Sequence, residues 1–138
     1  MKSIELGATA TRRVRVGHDR TIGFLGESLR IYATPELVRD VESTCRELLL
    51  GYVDTGEDSV GTGISLSHSG ATLLGMSVEI TATVMAVEGR KVSFATVARD
   101  DAEEISRGEH SRFIVDVEKL RGKAGAKMIR LKTGRAAG

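Results

Sequence analysis

The chain has 138 residues, 41% hydrophobic and 28% charged, a size and balance that fit one globular domain with one core. A formal net charge of +1 gives no whole-chain attraction for nucleic acid or membrane, and three Phe, two Tyr and no Trp are too few for a base-stacking platform. The single cysteine, Cys45, excludes an internal disulfide and a cysteine-based metal site; no apolar run approaches membrane-spanning length, and MKSIELGATATRRVRV holds no signal-peptide core, so the cytoplasm is the expected compartment.

Residues 8–16, ATATRRVRV, are rich in Thr and Val and alternate near their end, which predicts a strand. Gly17-His18-Asp19 is a turn signal, and the Gly-broken segment 21–30 reads as a loop or a single helical turn. Thr34-Pro35 then opens a helix, with Thr suited to the N-cap and Pro to the first helical position. Leu37, Val38, Val41, Cys45, Leu48 and Leu49 recur at helical spacing as one buried stripe, and Gly51 stops it. This is the only strong helix expected.

Four strand-like runs follow, at 59–68, 77–87, 91–99 and 105–117, joined by the turns SGATLLG, EGR and RDDAEE. Short connections predict an antiparallel meander. In the second run Val78, Ile80, Ala82, Val84 and Ala86 share one face, with Thr81 and Thr83 on the other. One helix with an apolar stripe and one sheet with an apolar face predict an α+β fold in which the sheet wraps the helix. The domain is expected over residues 1–120. The tail 121–138 holds six basic residues and no acid, and reads as a frayed, solvated or disordered terminus or as an attractor of anionic ligands. GTGISLSHSG matches no phosphate-cradling or dinucleotide pattern, and no Cys/His metal spacing occurs.

Three residues carry the candidate chemistry: Thr34, Glu42 and His68, a hydroxyl, a carboxylate and an imidazole suited to acyl-bond hydrolysis. Glu42 lies between Val38 and Cys45 and borders the apolar stripe, where a carboxylate finds a partner or a raised pKa; the alternative is an exposed Glu on a helix face with Glu36, Arg39, Asp40 and Arg46. His68 is expected on one strand face with Val60, Ile64 and Leu66, as a core histidine or a catalyst. Two helical residues at positions 34 and 42 would stand about 12 Å apart along the axis, too far for contact, unless Pro35 diverts Thr34 or a second chain contributes to the site. His110 and Arg112 fall on one strand face, with Arg112 fit for an acid, a phosphate or a carboxylate; Cys45 reads as small core packing.

The run from Ile31 to Leu120 resembles the hotdog-fold acyl-CoA thioesterases, and most closely the fluoroacetyl-CoA thioesterase-like branch. The resemblance rests on ATP before the helix, Glu42 within it, then GEDSVGTGISLSHSGATLLG, VEGRKVSFATVARD and GEHSRFIVDVEKL. It implies a hotdog fold, two subunits joined edge to edge as a homodimer or dimer of dimers, and sites at their interface. It implies that Thr34, Glu42 and His68 are catalytic, that Gly61 lies against the substrate and offers its backbone N–H to the thioester oxygen, and that Arg112 helps bind acyl-CoA. No cofactor and no metal are expected, nor a nucleic-acid or membrane partner. The expected reaction is hydrolysis of a short acyl thioester, on CoA or a carrier protein, with Glu42 activating water or attacking the carbonyl itself. The alternatives are an acyl-CoA-binding protein without turnover and an enoyl thioester hydratase on the same scaffold. Selectivity for a fluorinated substrate is not expected, because IGFLGESLRIY before Thr34 is poor in aromatics.

Overall fold

A computed structural model describes residues 1–137. The chain runs β1 (Thr9–Arg15), a 3-10 turn at His18–Arg20, α1 (Thr34–Leu50), β2 (Glu57–Leu66), β3 (Ser77–Glu88), β4 (Lys91–Arg99), β5 (Glu104–Asp116) and α2 (Val117–Ala137). The strands form one antiparallel sheet in the order β1-β3-β4-β5-β2. The sheet curls around α1, which is the hotdog arrangement the sequence predicts.

Alternation builds the inner face. Val78, Ile80, Ala82 and Val84 on β3 are buried, as are Val92, Phe94 and Ala98 on β4. α1 answers with Leu37, Val41, Cys45, Leu48 and Leu49. The N-terminal half of α1 packs Leu37 and Val41 against Val14, Val78, Ile80 and Ile105; its C-terminal half packs Cys45, Leu48 and Leu49 against Val84, Phe94 and Ile114. Each large buried side chain contributes about 1.5–3 kcal/mol of transfer free energy, so the α1–sheet contact fixes where the site residues on α1 stand.

Several expectations change. β3, β4 and β5 do form a meander, but β2 pairs with β5 rather than with β3. The segment after β2 crosses the end of the sheet, held by the Ile31↔Leu73 bridge and by Tyr32 N–H donating to Thr72 O, and this leaves β3 beside β1. Val60 and Ile64 do not share a face: the register shifts between Gly61 and Gly63, so Val60 stands opposite the exposed Phe113 and Ile64 opposite the buried His110. His68 lies two residues beyond the end of β2. Thr34 is not the helix cap. Ala33 is, and its carbonyl accepts from the N–H groups of Glu36 and Leu37, which leaves the Thr34 hydroxyl free for another partner. Gly51 ends the helix in a right-handed rather than a left-handed conformation. A second helix, α2, covers most of the basic segment expected as a solvated terminus, and its side chains from Glu118 to Gly134 are exposed. Its helical run continues directly from β5, with Asp116 Oδ1 accepting from Lys119 N–H at 3.0 Å as a cap.

Candidate functional site

The candidate residues gather in two clusters. In the first, Thr34 Oγ1 and His68 Nδ1 are 2.7 Å apart. The loss of the capping role is what makes this contact possible, since the hydroxyl turns from the helix backbone to the imidazole. His68 Nε2 is buried and has no hydrogen-bond partner among the described residues. Burial lowers the His68 pKa from its ordinary value, so the ring is neutral near pH 7. The edge of Tyr32 packs against it, ring centres 6.0 Å apart at 79°.

Behind Tyr32 stands a network that the sequence reading missed. Tyr32 donates its hydroxyl to Asp40 Oδ2 at 2.5 Å, and Arg20 donates Nε and Nη2 to the same carboxylate at 3.1 and 3.3 Å. Asp40 is 2% exposed, not part of the solvated helix face. Its spacing held the signal: it is three residues after Leu37 and four before Thr44, on the buried stripe. A buried carboxylate persists there because three charge-assisted or hydroxyl donors satisfy it. A pocket of about 490 Å³ opens in front of Thr34 and His68, walled also by Ile22, Phe24, Tyr32 and Pro35.

The second cluster surrounds Gly61. A Cβ at this position would stand 3.0 Å from Glu42 Oε1, 3.3 Å from His110 Cε1 and 3.6 Å from Arg112 Nη1. Glycine therefore lets a carboxylate, an imidazole and a guanidinium close in on the backbone where any side chain would crowd them. Arg112 is only 6% exposed; its Nε donates to Ser59 Oγ at 2.7 Å and its Nη2 to Ser59 O at 2.8 Å. Burial lowers its pKa, partly offset by Glu42, Cys45 and Asp58, and a guanidinium stays charged regardless. His110 joins Gly63 O and Arg112. Ser59 as a partner of Arg112 becomes visible only once β2 is known to pair with β5, whereas His110 already shares a strand face with Arg112 in the sequence. Cys45 is core packing beneath this cluster, its thiol pushed up to about 12 by burial.

Thr34 and Glu42 do not meet within the chain. Both lie on α1, eight residues apart, about 12 Å along its axis. No hydrogen bond joins the two clusters among the described residues. No group of three or more His, Cys, Asp or Glu converges to hold a metal ion among them either.

The family model described as fluoroacetyl-CoA-specific thioesterase matches residues 16–118. The fluoroacetyl-CoA thioesterase of Streptantibioticus cattleyicolor is 36% identical over 97 residues, covering 70% of each chain. The crystal structure of a point mutant of the fluoroacetyl-CoA-specific thioesterase superposes with a TM-score of 0.84 at 30% identity, covering 92% of this chain and 99% of the other. A hot-dog-like protein from Thermanaerovibrio acidaminovorans superposes at 0.81 with 22% identity over 88% and 91% of the two chains, a likeness of fold.

Proposed function

The chain belongs to the fluoroacetyl-CoA-specific thioesterase family, and from that premise we propose that it hydrolyses a short-chain acyl-CoA to the free acid and CoA, with Thr34, Glu42 and His68 catalytic and Gly61 and Arg112 binding the thioester. The observation that carries this reading is the close gathering of Glu42, His110 and Arg112 against the Gly61 backbone. The proposed position of the thioester carbonyl is against this group, within reach of the Glu42 carboxylate and the Arg112 guanidinium that converge on Gly61. The Gly61 backbone N–H is the proposed donor to the oxygen as negative charge builds on it.

In the proposed reaction Glu42 takes a proton from water as the water oxygen bonds to the carbonyl carbon, or its carboxylate attacks the carbon itself and water then splits the anhydride. The C–S bond breaks, and CoA leaves as a thiolate or takes a proton from His68. Thr34, hydrogen-bonded to Nδ1, orients the ring. Nε2, buried and without a partner among the described residues, is the nitrogen proposed to serve as the proton donor. A plain short acyl group is the proposed substrate, since the pocket beside Thr34 is walled mostly by Ile22, Ile31, Ala33, Pro35 and Ala71 with Phe24 and Tyr32, while His68 and Ser69 add polar groups.

The proposed assembly is a homodimer, alone or paired into a tetramer. β2 is an edge strand whose residues 60–65 are exposed and include Val60 and Ile64, with no charge among them. The other edge, β1, carries Arg12, Arg13 and Arg15, the usual protection of an edge. Pairing β2 with its copy closes the exposed edge and brings Glu42 of one subunit toward Thr34 and His68 of the other. Among the described residues no helix is long and apolar enough to cross a membrane; the cytoplasm is the proposed compartment, on the strength of one buried, unpaired cysteine.

The test is release of free thiol from a panel of short acyl-CoAs and acyl carrier protein thioesters, CoA from the first and the carrier's own thiol from the second. Turnover of at least one member is expected. Binding without release supports a non-catalytic carrier, and a 3-hydroxy product from crotonyl-CoA supports a hydratase.

A further inference from the structure

His110 has no part in the chemistry above, yet it is only 2% exposed and sits against two of its elements. Each ring nitrogen faces a partner that can play one role. Nε2 lies 3.3 Å from Arg112 Nη1, and a guanidinium has donors but no acceptor, so Nε2 accepts and carries no proton. Nδ1 lies 2.7 Å from Gly63 O, which only accepts, so Nδ1 carries the proton and donates. The two contacts define one neutral tautomer.

The surroundings hold that tautomer. Burial, with the Arg112 charge, pushes the His110 pKa below its ordinary value, while the Gly63 carbonyl and Glu42 pull the other way. Phe94 on β4 stacks on the ring, centres 6.3 Å apart at 24°. Gly63 closes the bulge that opens at Gly61, and Arg112 has its remaining anchors on Ser59 of the same strand. One imidazole on β5 thus ties the guanidinium beside Glu42 to the stretch of β2 that holds Gly61.

We propose that His110 is a positioning residue for the thioesterase: its Nδ1-protonated neutral ring orients Arg112 through Nε2 and sets the Gly61–Gly63 bulge through Nδ1. The proposal rests on the reading of the site given above. It divides the two functions between two nitrogens, and two amide substitutions separate them. His110→Asn keeps a donor near the Nδ1 position and removes the acceptor for Arg112. His110→Gln keeps an amide oxygen near the Nε2 position and removes the donor to Gly63.

The experiment measures kcat and KM of the full-length variants on the best acyl-CoA of the panel, per folded protein, with 15N NMR of the wild-type imidazoles. His110→Asn is expected to raise KM about tenfold or more, the scale of a hydrogen bond to a charged group, with a smaller change in kcat. His110→Gln is expected to lower kcat about tenfold or more with a smaller change in KM. The NMR spectrum is expected to give His110 a protonated Nδ1 and an unprotonated Nε2. Equal effects of the two variants, effects that track only the folded fraction, or the opposite tautomer overturn the proposal. A wild-type chain that releases no CoA overturns the thioesterase reading and this proposal with it; an active wild type with unsplit variants overturns this proposal alone.

Discussion

At the scale of single residues, Thr34 has exchanged one role for another. A capping hydroxyl would stabilise α1 by about 1 kcal/mol, but Ala33 is the cap and Thr34 faces His68. Thr34→Ala is therefore expected to leave the melting temperature nearly unchanged and to cut turnover about 30- to 1000-fold, the scale of losing one preorganised hydrogen-bonding group from an active site; Thr34→Ser should retain part of the rate. Melting of Thr34→Ala well below wild type with turnover intact would reverse the assignment. Glu42→Gln keeps shape and removes charge, and should lower kcat by a factor on the order of 100 or more without unfolding the chain. A wild-type rate in that variant would leave Glu42 as a border residue of the helix. The types and spacing of Thr34, Glu42 and His68 could be read from the sequence, whereas the hydroxyl's partner could not, because it lies 34 residues away across a crossover. Asp40 was hidden for another reason: a carboxylate on a helix is ordinarily solvated, and only the convergence of Arg20 and Tyr32 makes its burial tolerable.

The buried His110 and the half-buried His68 also set a pH dependence. Both have pKa values lowered from 6.5, first by burial. Below that value the unfolded chain binds more protons than the folded one, so stability is fully present above the ordinary imidazole range and falls as pH drops through it toward the folded values. Carboxylates with lowered values act further down, as with Glu57 at about 2. Urea unfolding from about pH 7.5 to pH 5 should give a declining free energy, with a shallower decline in His68→Gln; a flat profile in the wild type is the contrary result.

At the scale of elements, strand existence was legible and strand partnership was not. Each strand announced itself through its own alternation, but pairing depends on where a connection leads. SGATLLG reads as a turn after a strand ending at 68, but the ten residues between β2 and β3 carry the chain across the sheet. The Gly61–Gly63 register shift likewise breaks an alternation that the letters alone seem to continue. α2 escaped notice because it lacks an apolar stripe: its helical run is specified by Lys, Arg and Ala propensity against three glycines at 122, 125 and 134. With its side chains in solvent, it contributes little to the core. Removing residues 121–138 is accordingly expected to move the melting temperature by no more than about 2 °C, the shift of a few tenths of a kcal/mol in a domain this size. A larger loss would mean that α2 packs on something beyond the single chain.

At the scale of the molecule, the uncharged β2 edge and the guarded β1 edge predict that association uses β2. Ile64→Lys, placing a charge on that edge, should shift sedimentation toward the monomer and lower specific activity in parallel. Monomers that retain full activity would show that each chain's site is self-sufficient. The separation of the Thr34–His68 pair from Glu42 along α1 has a further consequence, testable by mixing. In the proposed dimer each single variant, Thr34→Ala or Glu42→Gln, should spoil both sites. Unfolded together and renatured, the two chains form hybrids in which one site inherits both lesions and the other inherits neither. Two inactive preparations should then recover about a quarter of wild-type activity, since half the dimers are hybrid and each has one sound site. Sites built within single chains would recover nothing, whatever the ratio of the parents.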